Sequence, residues 1–191
     1  MATPLRRILA LTVLLSLTGS IAACGERNET MKNSDASVEA TGKTSRESYD
    51  AFMAKMNELV ALTGEPNGWT ADFGKPWPLE PGTEILPEVC DTLNPEDSPR
   101  RIKLQVAGPG TEDLQADRDA MIRYLESQGM TITRVFGDPS YPHGVAWEAY
   151  SVGDNGLQID YAVTPEVRSI VMSGECSTHP SMQDKVSQDT P

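Results

Sequence analysis

The stretch VAWEAYSVGDNGLQIDYAV, residues 145–163, decides how the chain folds. In its second half Leu157, Ile159, Tyr161 and Val163 alternate with Gln158 and Asp160, the period-two pattern of a strand with one face in the core. Residues 145–152 form a partner strand. Asp154-Asn155-Gly156 joins the two, and Asn-Gly at a strand junction is a strong hairpin signal because both residues accept positive φ. Downstream, Thr164-Pro165-Glu166 turns the chain again and residues 167–176 make a further strand that ends in Cys176. Upstream, residues 130–136 read as a strand. Before them lies a helix with Thr111 as its cap, Glu112 and Asp113 at the positive end of its dipole, and Leu114, Met121, Ile122 and Leu125 as its apolar stripe. Gly129 stops it. Ile102, Leu104 and Val106, alternating with Lys103 and Gln105, give the strand that leads into this helix.

Further towards the N-terminus the pattern changes twice. Residues 65–101 carry Pro66, Pro76, Pro78, Pro81, Pro87, Pro95 and Pro99, which exclude a long helix or a central strand because each removes a backbone donor. An ordered, irregular wrap is expected, stabilised by the bulky aromatics Trp69, Phe73 and Trp77. Ahead of it, Thr44-x-x-Glu47 has the form of a capping box, followed at helical spacing by Tyr49, Phe52, Met53, Met56, Leu59 and Val60, with Gly64 as the stop. The expected class is therefore α+β: an antiparallel sheet of about five strands, two helices packed on one face, and a Pro-rich wrap.

The first 23 residues predict a secretory signal peptide. Arg6 and Arg7 form a basic n-region, residues 8–17 an apolar run too short to span a bilayer comfortably, and small residues follow. Ile21-Ala22-Ala23-Cys24 resembles the lipobox of bacterial lipoproteins. That resemblance implies that the signal is cut before Cys24, that Cys24 carries covalent lipid, and that the domain is anchored on the extracytoplasmic side of the cell membrane. Residues 24–44 read as the acylated cysteine and a flexible polar tether, residues 45–178 as a single domain, and residues 179–191 as a disordered polar tail.

The formal net charge of −12 disfavours nucleic acid and anionic headgroups, which require clustered cations. Of three cysteines, Cys24 is assigned to lipid. Cys90 and Cys176 remain as an even pair in an oxidising compartment, which predicts one disulfide. The amphipathic helix, the Gly64…Trp69 element, Cys90, the βα unit, the Asn155-Gly156 turn and the closing Gly174-Glu175-Cys176 together resemble the small LppA-type lipoproteins of actinobacteria. The resemblance implies envelope anchoring and supports the disulfide. It brings no activity with it.

No nucleophile elbow, zinc-protease motif, P-loop or dinucleotide fingerprint is present in the sequence. Asp138, Ser140 and His143 share one loop, but neighbours in sequence rarely converge as a catalytic triad. His143 and His179 lack metal-ligand spacing, and neither metal nor cofactor is expected. Glu112, Asp113, Asp117 and Asp119 read as charges on a solvated helix face. Gly108 and Gly110 could cradle an anion, which the acids that follow them disfavour. The sequence thus points to a non-catalytic envelope domain that binds a protein or a cell-wall component through its exposed sheet face or through an aromatic surface of Trp69, Phe73 and Trp77. A carrier of a small apolar ligand or lipid is the alternative, and an envelope hydrolase a more distant one. A carrier would show a closed apolar cavity of several hundred cubic ångströms.

Overall fold

Thr44 caps the first helix, α1 (Ser45–Leu62), through a complete capping box: its hydroxyl accepts from the Glu47 amide at 3.2 Å while the Glu47 carboxylate accepts from the Thr44 amide at 2.8 Å. In the computed structural model, which describes residues 39–137 and 146–189, α1 buries Tyr49, Phe52, Met56, Leu59 and Val60. The wrap then contributes β1 (Thr70–Ala71) and β2 (Lys75–Pro76), followed by a small separate hairpin of β3 (Glu88–Val89) and β4 (Arg100–Arg101). Next come β5 (Lys103–Pro109), α2 (Leu114–Ser127) and four further strands: β6 (Thr131–Phe136), β7 (Trp147–Val152), β8 (Gln158–Val163) and β9 (Val167–Ser173).

The main sheet has the order β2-β1-β5-β9-β8-β7-β6, and its neighbours pair antiparallel. Helix α2 carries the chain across the sheet from β5 to β6 at the far edge, and the meander β6-β7-β8-β9 walks back until β9 closes on β5. At the β7–β8 junction Asn155 and Gly156 take φ of 53° and 80°, as the hairpin reading requires. The class is α+β as expected. The sheet has seven strands rather than about five, because two-residue strands formed inside the wrap extend its edge. Pro76 sits in the outermost of them, where a missing N–H costs no ladder bond.

Register explains the core. On one face Val106, Ile170, Tyr161 and Ala149 lie side by side on β5, β9, β8 and β7, with Leu104, Met172, Ile159 and Ser151 in the next row; all are buried. Helix α2 covers this face over β6, β7 and β8, while Phe52 of α1 lies against Gly174, just past the end of β9. The third row of the face holds Gly108, where a β-carbon would stand 2.3 Å from the Trp69 ring, so only glycine lets the indole lie flat on β5.

Two boundaries differ from expectation. Residues 179–189 are folded. A 3-10 turn over Pro180–Gln183 buries Met182, and Val186 pairs with Ile85 of the wrap. The folded part also includes residues ahead of α1, since Thr41 bridges Ser177. Both segments are polar by composition and are ordered by docking on their neighbours. Cys90 and Cys176 form a disulfide at this corner.

Candidate functional site

Among the described residues, the helices leave the second face of the sheet uncovered. Its central row runs Gln105, Val171, Asp160, Tyr150 and Arg134 across β5, β9, β8, β7 and β6, and the adjacent row runs Ala107, Ser169, Ala162, Glu148 and Phe136. Small residues pave the middle of the face and larger ones rise at the β6 and β7 side. There Phe136, 45% exposed, meets Tyr150 edge to face with centroids 6.0 Å apart. The Arg134 guanidinium lies 4.3 Å from the Tyr150 ring and 5.2 Å from that of Phe136. The Tyr150 hydroxyl donates to Glu148 Oε2 at 2.7 Å, and that bond, ahead of burial, raises the Tyr150 pKa. A β-bulge between Ile132 and Arg134 displaces Thr133, whose hydroxyl donates to the Tyr150 carbonyl at 3.2 Å.

Asp160 stands half-buried at the centre of this face. Burial raises its pKa, and the nearby Lys103 and Arg134 offset that only in part. Its carboxylate and the side-chain amide of Gln158 have no hydrogen-bond partner among the described residues. Together with Thr133, Arg134, Tyr150 and Val152 they line a shallow depression of about 460 Å³.

A second concavity lies where α1 meets the sheet. Phe52, Ile102, Leu157 and Met172 line it, the Lys43–Glu175 ion pair stands at its rim, and its volume is about 160 Å³. Ligand pockets usually hold about 300–1,000 Å³, so this cleft matches a packing gap better than a carrier's cavity.

The residues singled out from sequence fall in different places. Trp69 and Trp77 are 2% and 7% exposed and belong to the core, so they form no exposed platform; the Phe73 side chain lies outside the described residues. Cys24 and the loop with Asp138, Ser140 and His143 also lie outside them. His179 caps the C-terminal 3-10 turn, its Nδ1 accepting from the Ser181 amide at 3.2 Å. Asp113 caps α2 by accepting from the Ala116 amide, and Asp119 pairs with Arg118. The expectation for Asp117 is corrected. Instead of facing solvent, it receives two bonds of 3.0 Å from Arg168 and the hydroxyl of Tyr161, whose pKa burial pushes well above the ordinary phenol value. Gly108 and Gly110 face Trp69 and Pro165 and leave no room for an anion.

Among the described residues no group of three or more His, Cys, Asp or Glu could hold a metal ion, and no helix is long and apolar enough to cross a membrane. Sequence reasoning placed Gln158 and Asp160 on the polar side of a strand but did not connect them with Arg134 and Tyr150. Alternation gives the face of each residue; the bulge that aims Arg134 over Tyr150 leaves no such mark. Comparison of the chain with protein-family models, with curated proteins and with solved structures finds no match in any of the three.

Proposed function

We propose that this protein is a non-catalytic binding domain of the cell envelope, anchored through lipid on Cys24 and engaging an envelope protein or a cell-wall component with its open sheet face. One observation carries the reading: among the described residues, helices cover only one side of the seven-stranded sheet, and the other presents mixed polar and aromatic side chains. Burial of Trp69 and Trp77 removes the aromatic wrap as a rival surface, and the small cleft beside α1 favours surface binding over carriage. The Cys90–Cys176 disulfide fits an oxidising compartment outside the cytoplasm.

Ala162 lies between Glu148 and Ser169 in the middle of the open face. Ala162→Arg fills that surface, whereas Glu126→Arg alters the exposed side of α2 and serves as the control. In cells carrying the full chain, wild type and Glu126→Arg should co-purify with the cell-wall fraction or cross-link to one envelope partner, and Ala162→Arg should lose the association. Equal behaviour of all three would overturn the reading. Cys24→Ala tests the anchor separately, since it should release the protein from the membrane fraction.

A further inference from the structure

We propose that the depression bounded by Arg134, Tyr150, Val152, Gln158 and Asp160 is a subsite for one ring of an uncharged polyhydroxyl chain, a neutral glycan. The inference rests on the open face being the binding surface and names what that surface recognises.

Three planar, fork-shaped groups converge there: a guanidinium, a carboxylate and a carboxamide. Each can address two adjacent hydroxyls at once, the guanidinium as donor, the carboxylate as acceptor and the amide as both. The guanidinium is held in place by Tyr150 and Phe136, while the carboxylate and the amide spend none of their capacity on the described residues. Val152, 38% exposed, supplies an apolar patch for the C–H face of a ring. A volume of about 460 Å³ admits one such ring with part of the next.

Charge narrows the ligand further. On a chain of net charge −12 the depression itself is balanced, with Arg134 against Asp160, while Lys103 is engaged by Glu88 at 3.9 Å. A polyanion or a polycation would gain little from such a pattern, and a neutral ligand loses nothing to it. Over β7 and β8, each paired on both sides, recognition runs through side chains; β6, the terminal strand, borders the depression on its outer side. Burial of Asp160 without a partner also disfavours its ionised form in the folded chain, a cost of the kind found where a side chain serves binding rather than stability.

The test uses the full mature chain in detergent micelles, titrated with a tri-N-acetylglucosamine and with maltotriose while ligand NMR and calorimetry are followed. At least one should bind, and both Asp160→Leu and Gln158→Ala should weaken it by about tenfold or more, as expected when a hydrogen-bonded pair is lost. Their melting temperatures should match or exceed that of wild type, and Glu126→Arg should bind normally. If Asp160→Leu fails to fold, exposed Gln158→Ala decides alone. Binding unaffected by these changes overturns the site. Absence of sugar binding overturns the inference while leaving the binding-domain reading intact, provided Ala162→Arg still abolishes envelope association; if that variant also has no effect, both fall.

Discussion

Arg168 on β9 and Asp117 on α2 are joined by two parallel bonds of 3.0 Å, Nε to Oδ2 and Nη2 to Oδ1, although 51 residues separate them. The remaining donor, Nη1, reaches the carbonyls of Pro109 and Gly110 at 2.7 and 2.9 Å, so one guanidinium ties the ends of β5 and β9 to the first turn of α2. The Arg168 side chain is 5% exposed, and a buried pair of this kind is costly to break because the surviving charge has no water to replace its partner. Arg168→Met should therefore cost about 3–5 kcal/mol, lowering the melting temperature by on the order of 10 °C. Adding Asp117→Leu to that variant should restore part of the loss. A thermal double-mutant cycle measures both effects.

The C-terminal segment offers a sharp contrast between two exposures. Met182 is fully buried beneath the 3-10 turn, whereas Leu93 in the wrap is 87% exposed. Met182→Ala should cost about 2–5 kcal/mol through lost transfer energy and a residual cavity. Leu93→Ala should change stability by less than about 0.5 kcal/mol. Denaturant unfolding monitored by tryptophan fluorescence would distinguish them, and equal midpoints would mean that residues 179–189 do not dock.

Cys90 and Cys176 lie 86 residues apart in sequence. Closing a loop of that length restricts the unfolded chain and stabilises the fold by at most about 4 to 5 kcal/mol. Melting under reducing conditions, or of the Cys90→Ser/Cys176→Ser variant, should fall well below that of the oxidised protein. The loss should centre on the wrap, seen as faster amide exchange there than in β7 to β9.

Asp160 makes a prediction about pH. Because burial raises its pKa, the folded chain takes up this proton at a higher pH than the unfolded chain does. Its contribution to stability grows as pH falls from the folded towards the unfolded value and is flat below both. Glu47 has the opposite sign: the Thr44 amide lowers its pKa, and its contribution is lost on acidification. Asp160→Asn should thus melt higher than wild type at neutral pH, and the gap should close as pH drops to about 4 and below. A gap independent of pH would show that the carboxylate's charge is not what costs stability.

Much of this architecture is legible in the sequence for local reasons. The alternation of Leu157, Ile159, Tyr161 and Val163 and the Asn155-Gly156 turn define β7 and β8, and the Thr44/Glu47 box starts α1, because in each case the governing interaction spans a few residues. What is missed depends on distant partners. Met182 and Val186 sit in a polar stretch without period, and only docking beside Ile85 buries Val186. Asp117 looks like any helical acid until β9 brings Arg168 to it. Packing of Trp69 and Trp77 beneath the wrap agrees with the expectation that aromatics stabilise it, but the specific partner, Gly108 under the Trp69 ring, is visible only in three dimensions. The open face is similar: each of its residues is an unremarkable polar position on one strand, and the depression exists only where three strands lie side by side.

The corner where Thr41 meets Ser177 has a mechanical meaning. Thr41 runs parallel to Ser177, with its amide on the Cys176 carbonyl at 2.8 Å and its own carbonyl accepting from the Thr178 amide at 3.0 Å. Tension entering the domain from residue 40 would meet these bonds side by side. It would then pass into Cys176, which is bolted to Cys90, so the load is shared by two distant stretches of backbone before any rung of the main sheet is pulled. A domain held from its N-terminal side is in this way gripped at its cross-linked corner.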